Sequence, residues 1–475
     1  MAHDLLRTKP LDRLMSDTQE EGHRLKKTLT AWDLTAIGIG CIIGVGIFVL
    51  PGQEAAVHAG PGIILSFAIA ALTCACTALC YAELAAMIPV AGSAYTYGYA
   101  TLGEVFAWVI GWDLILEYVV GASLVAIGWS GYCVNFLNHV LAPFGWRFPA
   151  ALSNSPWAAE PGIINLPAMA VVLFLTWLLV RGIKESARVN ITVVFIKIAV
   201  ILAFIGLAAW HVNPSNWRPF MPFGFGGVMT AAAIVFLAYV GFDAVSTTAE
   251  EAVNPQRDLP IGIIASLLVA TILYMAVAAI MTGVVPYAQF EGVAEPVAKV
   301  LNVLNMPLAS TLVSLGAIAG MTSVILVLLM GQPRILFSMS RDGLLPRALS
   351  AVHLRYQTPH VTTWLTGCIV AVAAGLTPIG IVAELCSIGT LFAFVIVCAG
   401  VIVLRYTRKD IRRPFKAPLT PVLPGIGIVL CGYLMLSLPP ATWIRFFIWL
   451  VLGIIVYFTY SRRHSLLNDG PKPEA

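Results

Sequence analysis

The chain is short of charge. Of its 475 residues only 11% are Asp, Glu, Lys or Arg, whereas 59% are hydrophobic and the mean hydropathy is +0.88. A soluble domain carries about 25% charged residues, so the composition excludes a soluble globular protein. It leaves long apolar runs, and about 20 such residues are enough for a helix to cross a bilayer. The sequence therefore predicts an all-α integral membrane protein.

Several functional motifs are also missing. Residues 1–30 lack the apolar core and small-residue cleavage site of a signal peptide, so we expect a cytoplasmic N-terminal tail there. No HExxH, GxSxG or P-loop pattern occurs, so we expect neither an enzyme nor an ATP-driven pump, and no cofactor. The nine cysteines are an odd number and the cluster at 74, 76 and 80 has no nearby histidine, which favours buried thiols over disulfides or a metal site.

The apolar runs predict twelve membrane-spanning helices. With the N-terminus inside, 23 of the 28 lysines and arginines fall on the cytoplasmic side and four outside, as the positive-inside rule requires. A miscount by one span would mix the two sides, so we expect a multi-pass cell-membrane protein with both termini cytoplasmic. The predicted spans are about 33–57, 61–87, 104–138, 163–181, 188–210, 228–249, 260–283, 306–332, 360–377, 379–404, 422–440 and 443–460.

Spans one and six both carry glycine near their middle, in "IGIGCIIGVGIF" and "IVFLAYVGFDAV". Glycine weakens a helix interior by about 1 kcal/mol. Close helix packing by small residues is one explanation. Paired interrupted helices in opposite halves instead indicate a secondary transporter with inverted repeats. An unwound backbone offers amides to a carboxylate and carbonyls to an ammonium, which suits an α-amino acid.

Four motifs, "GIGCIIGVGIF", "AGSAYTYGYATLGE", "FLAYVGFDAVSTTAEE" and "GQPRILFSMSRDGLLP", resemble the amino acid–polyamine–organocation (APC) superfamily. Within it the chain is most similar to the cationic amino acid transporter family and its bacterial homologues. The resemblance implies the leucine-transporter fold, with 5+5 inverted repeats and two additional helices. It divides the chain into a cytoplasmic tail (1–30), a first repeat of spans 1–5 (31–210), a second repeat of spans 6–10 (228–405), spans 11–12 (420–461) and a C-terminal cytoplasmic tail (462–475).

The resemblance also implies a substrate site at the two breaks. The substrate carboxylate would meet the amides of Val45 and Gly46, and the amino group would meet the carbonyls of Ile42, Leu237 and Val240. Relatives often have Ser or Thr in place of Val45 and an aromatic gate in place of Leu237. Met321 would face the substrate side chain and favour small or neutral ones, although core packing is the ordinary alternative. The remaining residues expected at the site are Ile43, Gly44, Phe236 and Ala238.

Ionisable residues inside spans are functional candidates. The resemblance places the Lys197 ammonium where sodium-coupled relatives hold a cation, near span-one carbonyls and the hydroxyls of Ser323 or Thr322. Lys197 is then either a proton-coupling element or a permanently charged pin between helices. Glu117 and Asp113, four residues apart, share one helix face and Glu117 could border the substrate site.

Other acidic residues have narrower expected roles. Asp243 is expected to cap the helix that resumes after the second break. Glu83, near the inner end of its span, is expected to pair with a loop residue, and Glu384 to line the outer entrance.

These observations predict a secondary active transporter of L-amino acids that works by alternating access and is coupled to protons. A sodium-independent exchanger and a carrier of cationic amino acids or polyamines are the alternatives, and the asymmetric pair of breaks disfavours a channel. The expected partners are an L-amino acid, protons and membrane lipid, the last at the basic loop 405–416. We expect no nucleic acid as a partner. Whether a small accessory subunit binds is not decided by the sequence.

Overall fold

The computed structural model describes residue 7 and residues 29–88, 93–141, 144–158, 161–181, 187–249, 252–293, 295–351, 359–409 and 411–466. Most of the two predicted tails, 1–30 and 462–475, therefore lies outside the described residues. Those that are described fold almost wholly into helix, and their one β-feature is an isolated bridge between Leu29 and Ala252. The prediction of an all-α protein is confirmed.

The N-terminal half begins at a capping box, in which Thr30 donates its amide to the Asp33 carboxylate at 2.8 Å and accepts the Asp33 amide at 3.5 Å. Such a cap satisfies amides that the first helical turn leaves unpaired. The α-helices of this half are α1 (Ala31–Ile42), α2 (Val45–Phe48), α3 (Leu50–Glu54), α4 (Ile63–Met87), α5 (Ser93–Thr101), α6 (Glu104–Leu141), α7 (Leu166–Val180), α8 (Ala187–Ala208), α9 (Gly224–Val235) and α10 (Ala244–Thr247).

In the C-terminal half several helices begin at proline, which suits a first turn because its missing amide is unpaired there anyway. These helices are α11 (Pro255–Val284), α12 (Pro296–Val303), α13 (Pro307–Arg341), α14 (His360–Leu376), α15 (Ile379–Thr407), α16 (Val422–Leu436), α17 (Pro440–Val456) and α18 (Arg462–His464). The Thr377–Pro378 pair separates α14 from α15, as the sequence predicts for spans nine and ten.

Seven helical stretches among the described residues are long and apolar enough to cross a membrane, and five shorter apolar helices accompany them. Each of the twelve predicted spans corresponds to helix, although the breaks divide spans one and six. The long α6 runs through Leu141, three residues beyond the predicted end of span three. The segment between spans two and three contains a short helix, α5.

An ion-pair cluster joins the C-terminal ends of α4 and α15. Arg405 donates to both oxygens of the buried Glu83 carboxylate at 2.9 and 2.7 Å, and the Arg413 guanidinium lies 3.4 Å from it. The amide of Ala417 donates to the same carboxylate at 2.7 Å. The predicted pairing of Glu83 with a loop residue is thereby confirmed, and it fixes the loop after α15 against α4.

Candidate functional site

Two predicted helix breaks lie side by side in the core. α1 ends at Ile42 and helix resumes at Val45 after Gly44, whose φ and ψ are −152° and −132°. In the second break, α9 ends at Val235, a 3₁₀ turn covers Phe236–Tyr239, and α10 begins at Ala244.

Glycine allows each break to contact the backbone of the other. A Cβ added at Gly46 would lie 2.5 Å from the Ala238 Cβ and 2.7 Å from its Cα. A Cβ added at Gly241 would lie 2.9 Å from the Cys41 Cβ, and Gly241 also has a φ of +122°, a conformation that favours glycine. These reciprocal contacts explain glycine at both positions better than helix flexibility does.

A tyrosine of α11 bridges the breaks. The Tyr274 hydroxyl lies 2.7 Å from the carbonyl oxygen of Ile42 and 2.8 Å from that of Ala238. One hydroxyl carries one proton, so at any moment it donates to one of the two carbonyls. The ring packs against Phe67 and Tyr239, with centroid separations of 5.5 and 5.2 Å. Tyr274 therefore links the position of one break to that of the other.

Lys197 reaches the first break from α8. Its side chain is fully buried, and its ammonium donates to the carbonyl oxygens of Gly40 at 2.8 Å and Ile43 at 3.0 Å. The last carbonyls of a helix lack partners within that helix and carry partial negative charge. A cation at the end of α1 satisfies them. The expected contact of Lys197 with span-one carbonyls is present.

The hydroxyls expected beside Lys197 are directed to their own helix. Ser323 donates to the Gly320 carbonyl at 3.0 Å and Thr322 to the Ile318 carbonyl at 2.8 Å. The face of α13 that meets the lysine is Gly320, where an added Cβ would lie 3.1 Å from the Lys197 Cε. Glycine thus makes room for the lysine stem, and the role of Ser323 in coupling stays a prediction.

A buried cavity lies against both breaks. Its backbone side comes from both breaks, and α6, α13 and α15 complete it. The lining residues of the breaks are Ile42, Gly44, Val45, Gly46, Leu237, Ala238, Val240 and Gly241. Ile43, also predicted at the site, is not in the lining, and its carbonyl accepts the Lys197 ammonium instead. Most of the lining is aliphatic, and the polar groups are few: the carboxyls of Glu117 and Asp243 and the hydroxyl of Tyr118. The aliphatic side chains of the wall outside the breaks are Leu124, Val125, Val324, Val327 and Leu328.

Asp243 binds the backbone of its own break. It occupies the N-cap position of α10, but its side chain makes no capping hydrogen bond there; its Oδ1 accepts the Gly241 amide at 3.1 Å. The expectation that Asp243 caps the resumed helix is therefore right in position and wrong in the hydrogen bond. The helix after the break is only four residues long, and the carboxylate satisfies an amide that the break has freed.

Some predicted site residues lie one layer behind the cavity. Phe236 packs edge-on against Phe394, with ring centroids 5.4 Å apart, and is not part of the lining. The Met321 sulfur lies 3.5 Å from the Cβ position of Gly128, next to Val45, whereas Val324 and Leu328 of the same helix line the cavity. Of the set predicted at the breaks, Ile42, Gly44, Val45, Gly46, Leu237, Ala238 and Val240 line the cavity, as does Glu117.

The site includes residues that sequence reasoning missed. Tyr274 gave a signal, because a lone tyrosine in the apolar stretch "TILYMAVAA" needs a partner for its hydroxyl when buried. Tyr118 is adjacent to Glu117 and carried a similar signal. Val324 and Leu328 gave none, since valine and leucine are ordinary in any membrane span. Among the described residues no group of His, Cys, Asp and Glu side chains could hold a metal ion.

An all-helical membrane protein with a cavity beside two interrupted helices has the features of a secondary transporter. The family model described as "Amino acid permease" matches residues 29–466. The chain therefore belongs to the amino acid permease family of the APC superfamily. It is a multi-pass membrane transporter and not an enzyme.

Several curated relatives cover almost the whole chain. The branched-chain amino acid permease BcaP of Bacillus subtilis is 52% identical over 99% of this chain and 100% of its own length. The methylthioribose transporter of the same organism is 48% identical over 98% of this chain and 99% of its own. A vacuolar cationic amino acid transporter 4 of Arabidopsis thaliana is 30% identical over 98% of this chain and 97% of its own.

Proposed function

We propose that this permease is a proton-coupled secondary transporter of branched-chain and other aliphatic L-amino acids. The observation that carries the proposal is the cavity, because it combines the backbone of two helix breaks on one side with an aliphatic wall on the other. The backbone side suits the zwitterionic part common to all amino acids. The wall suits an apolar side chain.

The zwitterion is expected to bind along the first break. The amides of Val45 and Gly46 belong to the first turn of α2, where no carbonyl one turn back can pair with them, and they suit the substrate carboxylate. Leu237 already accepts the Val240 amide at 3.1 Å, and Ile42 the Tyr274 hydroxyl. A carbonyl oxygen has two lone pairs, so each retains acceptor capacity for the substrate ammonium.

The side chain is expected to contact α6 and α13. Their aliphatic contribution to the lining is Leu124, Val125, Val324, Val327 and Leu328, with no lysine or arginine among the lining residues. Burial of aliphatic surface is favourable by about 25 cal/mol per Å². The wall therefore favours binding of valine, leucine or isoleucine. A relative named as a branched-chain amino acid permease at 52% identity supports the same substrate class.

Proton coupling is proposed from Lys197 and its place at the end of α1. Its ammonium occupies the carbonyls of Gly40 and Ile43, where a bound cation would otherwise be needed. Gain or loss of the lysine's proton would alter these bonds and with them the geometry of the first break. A permanent structural pin is the competing role, and the pH response of transport separates the two.

A second candidate is a carrier of cationic amino acids. Glu117 and Asp243 both line the cavity, and a pair of carboxyls could bind a guanidinium or ammonium side chain. The plant relatives named as cationic amino acid transporters agree with it. We rank it second because Asp243 is engaged by the Gly241 amide and the rest of the wall is aliphatic.

The proposal includes the topology. We infer twelve spans with both termini cytoplasmic, arranged as two five-span inverted repeats (31–210 and 228–405) followed by two helices (420–461). The two breaks fall in the first span of each repeat, as this arrangement requires. The lysine and arginine distribution supports the orientation.

Uptake into proteoliposomes tests the proposal. Labelled leucine should enter against its gradient when a pH gradient is imposed, should continue when choline replaces sodium, and should show counterflow. Valine and isoleucine should compete, and arginine, lysine and methylthioribose should not. Strong competition by arginine would establish the second candidate, and dependence on sodium would contradict proton coupling. Lack of counterflow would contradict a carrier.

A further inference from the structure

A buried carboxyl lies outside the cavity and has no hydrogen-bond partner in the part of the chain that the structure describes. Asp113 is on α6, four residues before the cavity residue Glu117, and its exposed fraction is 0%. Neither of its carboxyl oxygens has a hydrogen-bond partner among the described residues. A buried polar group almost always has one, so this orphan carboxyl needs an explanation.

The room around Asp113 comes from a glycine on the facing helix. A Cβ added at Gly389 of α15 would lie 3.0 Å from the Asp113 Oδ1. The side chain therefore points at the α6–α15 contact. An uncompensated charge there costs several kcal/mol, so this position favours the neutral, protonated form of Asp113.

The ionisable groups around Asp113 are mostly acidic. Glu117 lies on the same helix, Cys386 faces both from α15, and Asp243 approaches Glu117 from the second break. From α13, Arg334 acts on Tyr118. The residue before Asp113, Trp112, stacks on Trp449 of α17 with ring centroids 4.6 Å apart.

Two buried carboxyls lie on one face of α6. Residues four apart lie on one face about 6 Å apart, so Asp113 is one turn from Glu117. Glu104, at the start of α6, is about two and a half turns from Asp113 and therefore lies on the opposite face of the helix. It is hydrogen-bonded to the hydroxyls of Tyr457 and Ser465 and takes no part in this pair.

We propose that Asp113 is a proton-carrying residue that exchanges the transported proton with Glu117 at the cavity. The inference rests on the proton coupling proposed above. The Asp113 side chain is directed at Gly389 in this conformation, so the transfer begins when the Asp113 carboxylate turns toward Glu117 and accepts a hydrogen bond from the Glu117 carboxylic acid. The O–H bond of Glu117 then breaks as an O–H bond forms on Asp113, and the reverse transfer returns the proton to the cavity.

The test uses Asp113→Asn, which keeps the shape of the side chain and removes its acidity. In proteoliposomes this variant should keep leucine counterflow at equal pH and lose accumulation driven by a pH gradient. Asp258→Asn is the matched control. Asp258 is also a buried aspartate in a spanning helix, but its carboxylate accepts the Asn254 amide at 3.3 Å, and the variant should retain both activities.

An infrared measurement gives a readout independent of transport. The C=O stretch of a protonated carboxylic acid should be present in the wild type, shift in D₂O and lose intensity in Asp113→Asn but not in Asp258→Asn. An unchanged band in Asp113→Asn would overturn the inference.

The transport outcomes separate this inference from the proposed function. Accumulation retained by Asp113→Asn in a proton-coupled wild type would overturn the inference alone. Loss of counterflow together with accumulation in a folded Asp113→Asn would assign the residue a structural role and also overturn it. A wild type that does not respond to the pH gradient would overturn the proposed coupling, and the inference with it.

Discussion

At the first helix break two freed carbonyls meet a cation, whereas at the second a freed amide meets an anion. Lys197 donates to the carbonyls of Gly40 and Ile43 at the end of α1. Asp243 accepts the amide of Gly241 before α10 begins. The lysine comes from another helix, whereas the aspartate belongs to the break that it serves.

Because of this difference, we expect the two breaks to differ in mobility. A break held by its own side chain keeps its shape as a unit. A break held by α8 changes when α8 moves or when the lysine loses its proton. We therefore expect the first break to be the responsive one and the second to be the fixed reference, with Tyr274 transmitting between them.

The largest effect is expected from filling the contact between the breaks. Gly46→Leu would place a side chain within 2.5 Å of the Ala238 Cβ, where backbone also blocks it. Uptake should be abolished at normal membrane expression. Gly206→Leu is the control, since a Cβ there meets nothing within 4 Å. Normal uptake by Gly46→Leu at equal surface level would disprove the placement of the site.

The next largest effect is expected from Lys197→Met. It leaves two buried carbonyls without their cation, at about 1–3 kcal/mol each, and should lower leucine uptake at least about tenfold and flatten its pH dependence. Lys299→Met makes the same change at a lysine of the segment between α11 and α13, which donates to the Gln289 carbonyl, and should leave uptake unchanged. Full pH-dependent uptake by Lys197→Met would contradict the expectation that the first break is the responsive one.

A smaller effect is expected from Tyr274→Phe. The ring packing on Phe67 and Tyr239 remains, and one bridging hydroxyl is lost, a change of about 1 kcal/mol or about fivefold in leucine affinity. Tyr132→Phe removes a buried hydroxyl that donates to the Phe48 carbonyl outside the breaks and should have less effect on binding. Equal leucine dissociation constants for the two variants, measured by thermal shift, would contradict the bridging role.

Much of this arrangement could be predicted from the sequence. The hydropathy pattern predicted the helical segments, because a chain in lipid must pair its backbone polar groups internally and an apolar helix does so. The glycines at 38, 40, 44, 46 and 241 predicted the breaks. The lone lysine in an apolar span predicted the cation at the first break. Each of these residues is energetically unfavourable in its predicted helix, so its presence indicates a structural or functional role.

The cavity wall could not be predicted in the same way. Met321 and Val324 lie three residues apart in one apolar helix, and neither the composition nor the spacing tells which of them faces the cavity. That is decided by how α13 is rotated against α6, which depends on contacts between residues far apart in sequence. Asp113 was identified as sharing a face with Glu117, but its lack of a partner depends on Gly389 of a distant helix.

The smallest effect is expected from a substitution on α13. The same substitution tests which of the two breaks the substrate side chain faces. Val324 lies beside the first break, with its Cγ2 3.1 Å from the Cβ position of Gly44, and it lines the cavity. One of the two γ-methyl groups of Val324 packs on Gly44, so Val324→Ala takes only about one methyl group, about 0.8 kcal/mol, from the substrate contact. Valine affinity should therefore fall about fourfold while phenylalanine becomes a competitor. Met321→Ala should change the competition profile less, because its sulfur lies behind Val45. Leu237→Ala makes the matching change on the second break. If Leu237→Ala, and not Val324→Ala, admits phenylalanine, the side chain faces the second break; if Met321→Ala alone does, the prediction made from the sequence is the correct one.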